Sequence, residues 1–216
     1  MKVIKPSYEI LTPISDGGIK ELQHIEKIGR VCYKSEDKIT EDGESAKKFV
    51  GMLIKRGHEA MIEHGSISVK IICDRGVSHE LVRHRIASFA QESTRYCNYG
   101  QDKFGGELTF IEPCFWEINS IQYSYWRALM RDTESTYLNL LALGATPQEA
   151  RSVLPNSLKT EITITANYRE WRNIFKLRTA IAAHPQMREI MRPLLDEFKT
   201  NIPVLFDDIS YEEDNA

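Results

Sequence analysis

Two hydrophobic periods alternate along the chain. Between residues 18 and 33 apolar side chains recur three or four apart, at Ile19, Leu22, Ile25, Ile28 and then Val31 or Cys32, the stripe of a helix with one buried face. The same spacing returns over 44–56 through Ala46, Phe49, Val50 and Leu53, and Gly57 stops that helix. Residues 66–73 (SISVKIIC) and 158–166 (LKTEITITA) alternate instead, as strands with one buried face do. Residues 2–11 predict a first strand and 107–112 another. Asp74-Arg75-Gly76 turns the chain into a short helix over Val77–Val82, and 97–106 (CNYGQDKFGG) is a mobile loop. A long helical segment over 115–143 carries Trp116, Trp126 and three tyrosines, which predict core packing because large aromatics usually bury. Thr146-Pro147-Gln148-Glu149 starts a further helix with a capping box and proline at the first position. Pro185 opens the last amphipathic helix, to about Lys199, and the acidic end (DDISYEEDNA) is frayed.

Composition narrows the class. With 42% hydrophobic and 27% charged residues the chain is soluble and globular, and 216 residues make one large domain or two small ones, with room for a real core. A net charge of −3 argues against a nucleic-acid coat, so anionic ligands must be met by local arginines. MKVIKPSYEI lacks the apolar run of a signal peptide and no run is long enough to span a membrane, which places the protein in the cytoplasm. Cys32, Cys73, Cys97 and Cys114 lack zinc or redox spacing and are read as reduced and mostly packed. His58 and His64 (HEAMIEH) are six apart, roughly 240° round a helix, so they are no metal pair but belong to a loop.

Functional side chains concentrate between Asp74 and Tyr96, DRGVSHELVRHRIASFAQESTRY. Arg83, His84, Arg85, Gln91, Ser93 and Arg95 alternate there with Val77, Leu81, Val82, Ile86 and Phe89. Guanidinium groups beside a core suit phosphates, because the planar fork matches the anion and is weakly hydrated. On a helix Arg83 and Arg85 would diverge by about 200°. Ser88 to Gln91 has capping-box spacing, so a helical turn there would offer free amides near Ser93. Arg151 falls in the first turn after Thr146, against the helix dipole, and an anionic ligand would explain a cation there.

Arg83-His84-Arg85, seven residues, then Ser93, with Arg95 beyond, resembles the signature of the flavin-dependent thymidylate synthases. Three more blocks are similar to that family's and stand in its order: Gly57-His58-Glu59 to Glu63-His64, Ala150-Arg151 to Leu154-Pro155, and Asn167, Arg169, Asn173 and Arg178. Together they run from Gly57 to Gln186. The chain departs from the pattern at Glu80, where the family often has Gln, and over 179–183, longer than expected before His184-Pro185-Gln186.

The resemblance implies an α+β fold, helices around an antiparallel sheet, in one domain over 1–216. It is not a Rossmann unit, and no Gly-x-Gly-x-x-Gly follows a strand. It implies methylation of dUMP to dTMP, with methylenetetrahydrofolate giving the carbon and NADPH-reduced FAD the hydride, in a homotetramer whose subunits share sites. The family's FAD contacts fall on His58, Arg83, His84, Arg85, Gln91, Asn167, Tyr168, Arg169 and Asn173. Its dUMP contacts fall on Glu80, Arg83, Gln91, Glu92, Ser93, Thr94, Arg95, Arg151 and Arg178. Arg178 is assigned to activation, as electrostatic partner of the pyrimidine N3/O4 edge, and Ser93 to hydrogen bonding because no His-Asp pair stands beside it. Two rivals have weaker support. A cysteine-nucleophile synthase would use Cys114, but Phe115 and Trp116 replace the residues its motif needs; a nucleotide- or RNA-binding module would use the arginines without catalysis.

Overall fold

The computed structural model describes residues 1–101, 103 and 105–213. In order the elements are β1 (Lys2–Ile4), β2 (Ser7–Ile10), α1 (Ile19–Val31), α2 (Glu44–Lys55), β3 (Ser66–Asp74), α3 (Arg75–Leu81), β4 (Ala87–Gln91), β5 (Thr109–Ile111), α4 (Ile121–Ala142), α5 (Pro147–Ala150), β6 (Lys159–Asn167), α6 (Tyr168–Arg178), α7 (Pro185–Asn201) and α8 (Pro203–Phe206). Four strands form an antiparallel sheet of order β2-β3-β6-β4. The two central strands are the two with the clearest alternation. Ile67, Val69, Ile71 and Cys73 of β3 and Thr160, Ile162, Ile164 and Ala166 of β6 are buried, one residue in two.

Several expectations need correction. The first strand is two strands: Pro6, which has no N–H to give a ladder, lies between β1 and β2. β1 pairs with β5 in parallel, Val3 opposite Phe110, so not all pairing is antiparallel. Ser88 to Gln91 belongs to β4 and is no helical turn, which removes the phosphate site drawn from its amides. The long helix starts at Ile121, not at 115, with Ser120 as its cap. Residues 59–64 are a 3₁₀ helix rather than a loop, and Cys32 and Cys114 are exposed. The mobile-loop and frayed-end readings fall partly on 102, 104 and 214–216, outside the described residues.

The chain divides into two compact units. The first comprises Met1–Tyr8, Lys70–Arg83 and Phe89–Thr163. Its core packs Tyr123, Trp126, Met130 and Tyr137 of α4 with Tyr99, Leu108, Phe110 and Leu158. The polar tips are paired: Trp126 Nε1–H donates to Ser157 Oγ at 3.0 Å and the Tyr123 hydroxyl to Glu112 at 2.9 Å. The exposed Phe115 and Tyr125 lie outside that core.

The second unit comprises Glu9–Val69, His84–Ser88 and the chain from Ile164 onward. Leu22 and Ile25 of α1 are buried with Phe49, Val50 and Leu53 of α2. Gly57 ends α2 with φ of +69°, a conformation that favours glycine. The aromatic rings of Trp171, Phe175, Phe198 and Phe206 meet at centroid distances of 5.0–5.9 Å between α6, α7 and α8. Trp171 Nε1–H donates to the Ile67 carbonyl at 2.9 Å, pinning α6 to β3. At Gly65 a Cβ would stand 2.2 Å from the Tyr168 ring, so only glycine admits that ring. Tyr168 is 3% exposed and burial pushes its hydroxyl pKa up.

Candidate active site

α6 presents the second unit's functional groups because its two faces differ. Trp171, Ile174 and Phe175 point into the core, while Arg169, Asn173 and Lys176 are exposed, four and three residues apart. Asn167 caps the helix, its Oδ1 accepting the Glu170 N–H at 2.8 Å. These residues line a cleft of about 410 Å³ with Glu59, Glu63, Ile86, Glu170 and Arg172. Three of the residues expected to contact a flavin, Asn167, Arg169 and Asn173, are thereby brought together.

The cleft is balanced in charge. Arg169 bonds Glu63 at 2.5 Å and lies 3.5 Å from Glu59, and the Glu63 bond holds its already high pKa higher still. Arg172 is buried and forks onto Asp208 at 2.6 and 2.7 Å, with Glu59 at 3.4 Å. A flavin dinucleotide fits this set in part. The exposed Arg169 and Lys176 suit a diphosphate, the amides of Asn167 and Asn173 suit polar edges, and Ile86, 69% exposed, offers an apolar surface.

His84, one residue after the unit boundary, is buried and bonded on both ring nitrogens. Glu170 Oε1 lies 2.9 Å from Nδ1, and the Arg178 Nε–H donates to Nε2 at 3.0 Å. Burial lowers the imidazole pKa, which outweighs the opposing pull of Glu170, so the ring is neutral at pH 7. Arg178 closes the last turn of α6, where a cation is favoured. Arg83 and Arg85 are exposed on either side of His84, beyond the end of α3, so helical divergence does not set their directions.

His58 stands elsewhere. It lines a smaller apolar cleft of about 280 Å³ with Cys32, Tyr33, Leu53 and Met61, while its neighbour Glu59 reaches the α6 cleft. His184 caps α7, its Nδ1 accepting the Gln186 N–H at 3.3 Å.

In the first unit Ser93, Thr94, Arg95 and Arg151 do come together. Ser93 Oγ accepts the Arg95 N–H at 3.3 Å, Arg151 Nη1 lies 3.4 Å from Thr94 Oγ1, and Arg95 Nε–H donates to Gln148 at 3.2 Å. The reason differs from the one expected. α5 ends at Ala150, so Arg151 is its C-cap and no cation sits against the dipole. Gln91 Nε2 donates to Ser78 and Thr160, tying β4 to α3 and β6. Glu92 accepts from the Tyr99 hydroxyl at 2.6 Å and from Lys159 at 2.8 Å. Burial pulls the Lys159 ammonium down, but Glu161 and Glu92 together hold it raised. Gln91, Glu92, Tyr99, Lys159 and Glu161 line a cleft of about 620 Å³ with Lys70 and Thr163. Glu80 is half-buried.

Sequence reasoning passed over Glu170 and Lys159. The Asn167-x-x-Glu170 spacing is that of a capping box, which marks Glu170 as a cap at most; the fold instead turns its carboxylate to His84.

The family model described as "Thymidylate synthase complementing protein" matches residues 19–204. A flavin-dependent thymidylate synthase from Pyrococcus furiosus is 33% identical over 170 residues, 78% of this chain and 68% of that protein. Another from Thermococcus onnurineus is 36% identical over 67% of this chain and 59% of its own length, so the chain spans about two thirds of these archaeal relatives. One from Corynebacterium aurimucosum is 32% identical over 90% of this chain and 82% of its own. A UMP/dUMP methylase, PolB from Streptomyces cacaoi, bound with 5-Br dUMP, has a similar fold, with a TM-score of 0.76 and 21% identity over 96% of each chain. With two thirds of its length or more aligned at about one identical residue in three, and with four of the family's motif blocks present in order, the chain belongs to the flavin-dependent thymidylate synthase family.

Proposed function

We propose that this protein methylates C5 of dUMP to give dTMP, with 5,10-methylenetetrahydrofolate as carbon donor and FAD, reduced by NADPH, as hydride donor. One observation carries the reading: a single helix, α6, with its cap Asn167, places Arg169 and Asn173 on one cleft and ends in an Arg178 fixed by a buried histidine. FAD supplies the hydride chemistry when bound, and the chain's residues bind, orient and polarise. Arg169 and Asn173, with Asn167, hold the flavin; Ser93, Thr94, Arg95 and Arg151 hold the nucleotide phosphate. Arg178 faces the pyrimidine and stabilises the negative charge that makes C5 nucleophilic. It cannot act as a base, because a guanidinium stays charged.

The active form is a homotetramer with shared sites. A cleft of about 410 Å³ lies near the lower end of ligand pockets, in keeping with a dinucleotide site completed by a second subunit. The whole chain works as one domain, since its backbone passes between the two units five times. It acts in the cytoplasm, free of nucleic acid, in keeping with its net charge of −3 and the thiols of Cys32, Cys73 and Cys97. Among the described residues no helix is long and apolar enough to cross a membrane and no metal-binding group is formed. The test is product formation: dUMP, methylenetetrahydrofolate and NADPH together yield dTMP, and omission of any one abolishes it. Failure of the complete mixture with flavin-loaded protein would refute the reading.

Two site assignments have their own tests. Arg169→Ala with Asn173→Ala is expected to give folded, colourless protein, checked by circular dichroism and flavin absorbance; full flavin occupancy would take both residues out of the site. Arg151→Ala is expected to weaken dUMP binding about ten- to a hundredfold, the loss of one charge-assisted contact of roughly 1.5–3 kcal/mol. Calorimetric titration at fixed salt checks this, and unchanged affinity would remove Arg151 from the phosphate site.

A further inference from the structure

Both hydrogen-bonding positions of the His84 ring are occupied by protein. Arg178 donates through Nε–H to Nε2 at 3.0 Å, and a guanidinium has no acceptor, so Nε2 carries no proton. The neutral ring must then bear its proton on Nδ1, which donates to Glu170 Oε1 at 2.9 Å. Glu170 is itself fixed: it is 7% exposed, and Asn173 Nδ2 lies 3.3 and 3.4 Å from its two oxygens. His84 is 6% exposed, so little of it is offered to any ligand.

We infer that Glu170 and His84 are positioning residues for Arg178: the carboxylate fixes the Nδ1–H tautomer of His84, and the bare Nε2 fixes the orientation of the guanidinium. His84 therefore does not lend a ring nitrogen to the flavin. The inference rests on the reading of Arg178 as the group that polarises the pyrimidine. A planar fork must face the charge it stabilises, and a misplacement of about 1 Å costs roughly a hundredfold in rate. Asn173 ties the same carboxylate to the cleft, so the flavin-facing residue and the pyrimidine-facing residue share one network.

The charged groups acting on the ring are Glu170 and Arg178, both on α6. Burial and Arg178 disfavour the imidazolium, and Glu170 favours it. Once the pH falls through the lowered pKa, Nε2 gains a proton and meets the Arg178 donor as a second donor and a second cation. Methylation should then fail on an acid limb below the ordinary histidine pKa of about 6.5.

The first measurement needs no turnover. Nitrogen NMR of protein labelled at histidine, at pH 7.5, should show His84 with a protonated Nδ1 and a bare Nε2, and Glu170→Ala should abolish that preference. An Nε2–H tautomer or a doubly protonated ring in the wild type overturns the inference whatever reaction the protein catalyses. The second measurement is kinetic. With FAD saturating, Glu170→Ala should lower kcat for dTMP formation roughly ten- to a hundredfold, with KM for dUMP unchanged. Glu170→Gln, whose carbonyl still accepts the Nδ1–H, should restore most of the rate and move the acid limb to lower pH. An unchanged kcat in Glu170→Ala, or a Gln variant as slow as the Ala variant, would overturn the inference. A wild-type protein that makes no dTMP refutes the proposed reaction instead, and the tautomer measurement still decides the positioning.

Discussion

Arg178→Lys is expected to separate flavin reduction from methylation. The variant keeps a positive charge at the end of α6 but loses the planar fork and the Nε–H that His84 receives at 3.0 Å. A lysine ammonium is a flexible point charge, so it is not held facing the pyrimidine edge. If Arg178 stabilises charge that develops only in the transition state, the loss falls on kcat rather than on KM. Removing one such preorganised donor costs about 10²–10³ in rate. Flavin reduction by NADPH should run near the wild-type rate while dTMP formation at saturating dUMP drops about a hundredfold or more. Both are followed on one sample, by flavin absorbance and by product chromatography. Wild-type methylation by the variant would reduce Arg178 to a binding residue.

Trp171→Ala is expected to produce the largest loss of stability. Trp171 is fully buried, stacks on Phe175 at 5.5 Å, meets Phe198 at 5.2 Å and bonds the Ile67 carbonyl. Truncation leaves a cavity beside Phe175 and Phe198 and removes the indole donor from the Ile67 carbonyl of β3. Such changes cost about 3–5 kcal/mol. The effect should reach the site, because the same helix carries Arg169, Asn173 and Arg178. Chemical denaturation should show a lowered midpoint, and the folded fraction should bind flavin more weakly. A midpoint within error of the wild type would show that α6 is anchored by something other than its aromatic face.

The elements legible in the sequence were those with long, clean periods. α1, α2, β3 and β6 lie within a residue or two of where hydrophobic spacing put them, and the Thr146–Glu149 capping box is formed. Segments of four or five residues were not legible. Ser88 to Gln91 satisfies a capping box and a strand alternation equally, and only its place beside β6 decides for the strand. Arg151 looked like a misplaced cation because the helix before it was assumed longer than its four residues.

Within the candidate site, the residue types could be read but not their environments. Ser93, Thr94, Arg95 and Arg151 stand together in the first unit, though Thr94 and Arg151 are 57 positions apart. His58 stood in a motif block as Arg169 did, and Tyr168 at the variable position between Asn167 and Arg169, yet His58 lines a separate apolar cleft and Tyr168 is buried against Gly65. Glu170 gave no signal beyond a capping position, because its role depends on His84, 86 residues away in sequence. Local patterns carry what local physics sets, and a carboxylate bonded across the fold lies outside that.

The most direct test follows the transferred carbon. With methylenetetrahydrofolate labelled at its methylene carbon, the flavin-loaded protein, supplied with dUMP and NADPH, should place the label in the C5 methyl group of dTMP. Protein stripped of flavin should place none there until FAD is restored. Label that never enters the nucleotide, or that enters equally without flavin, would contradict the account.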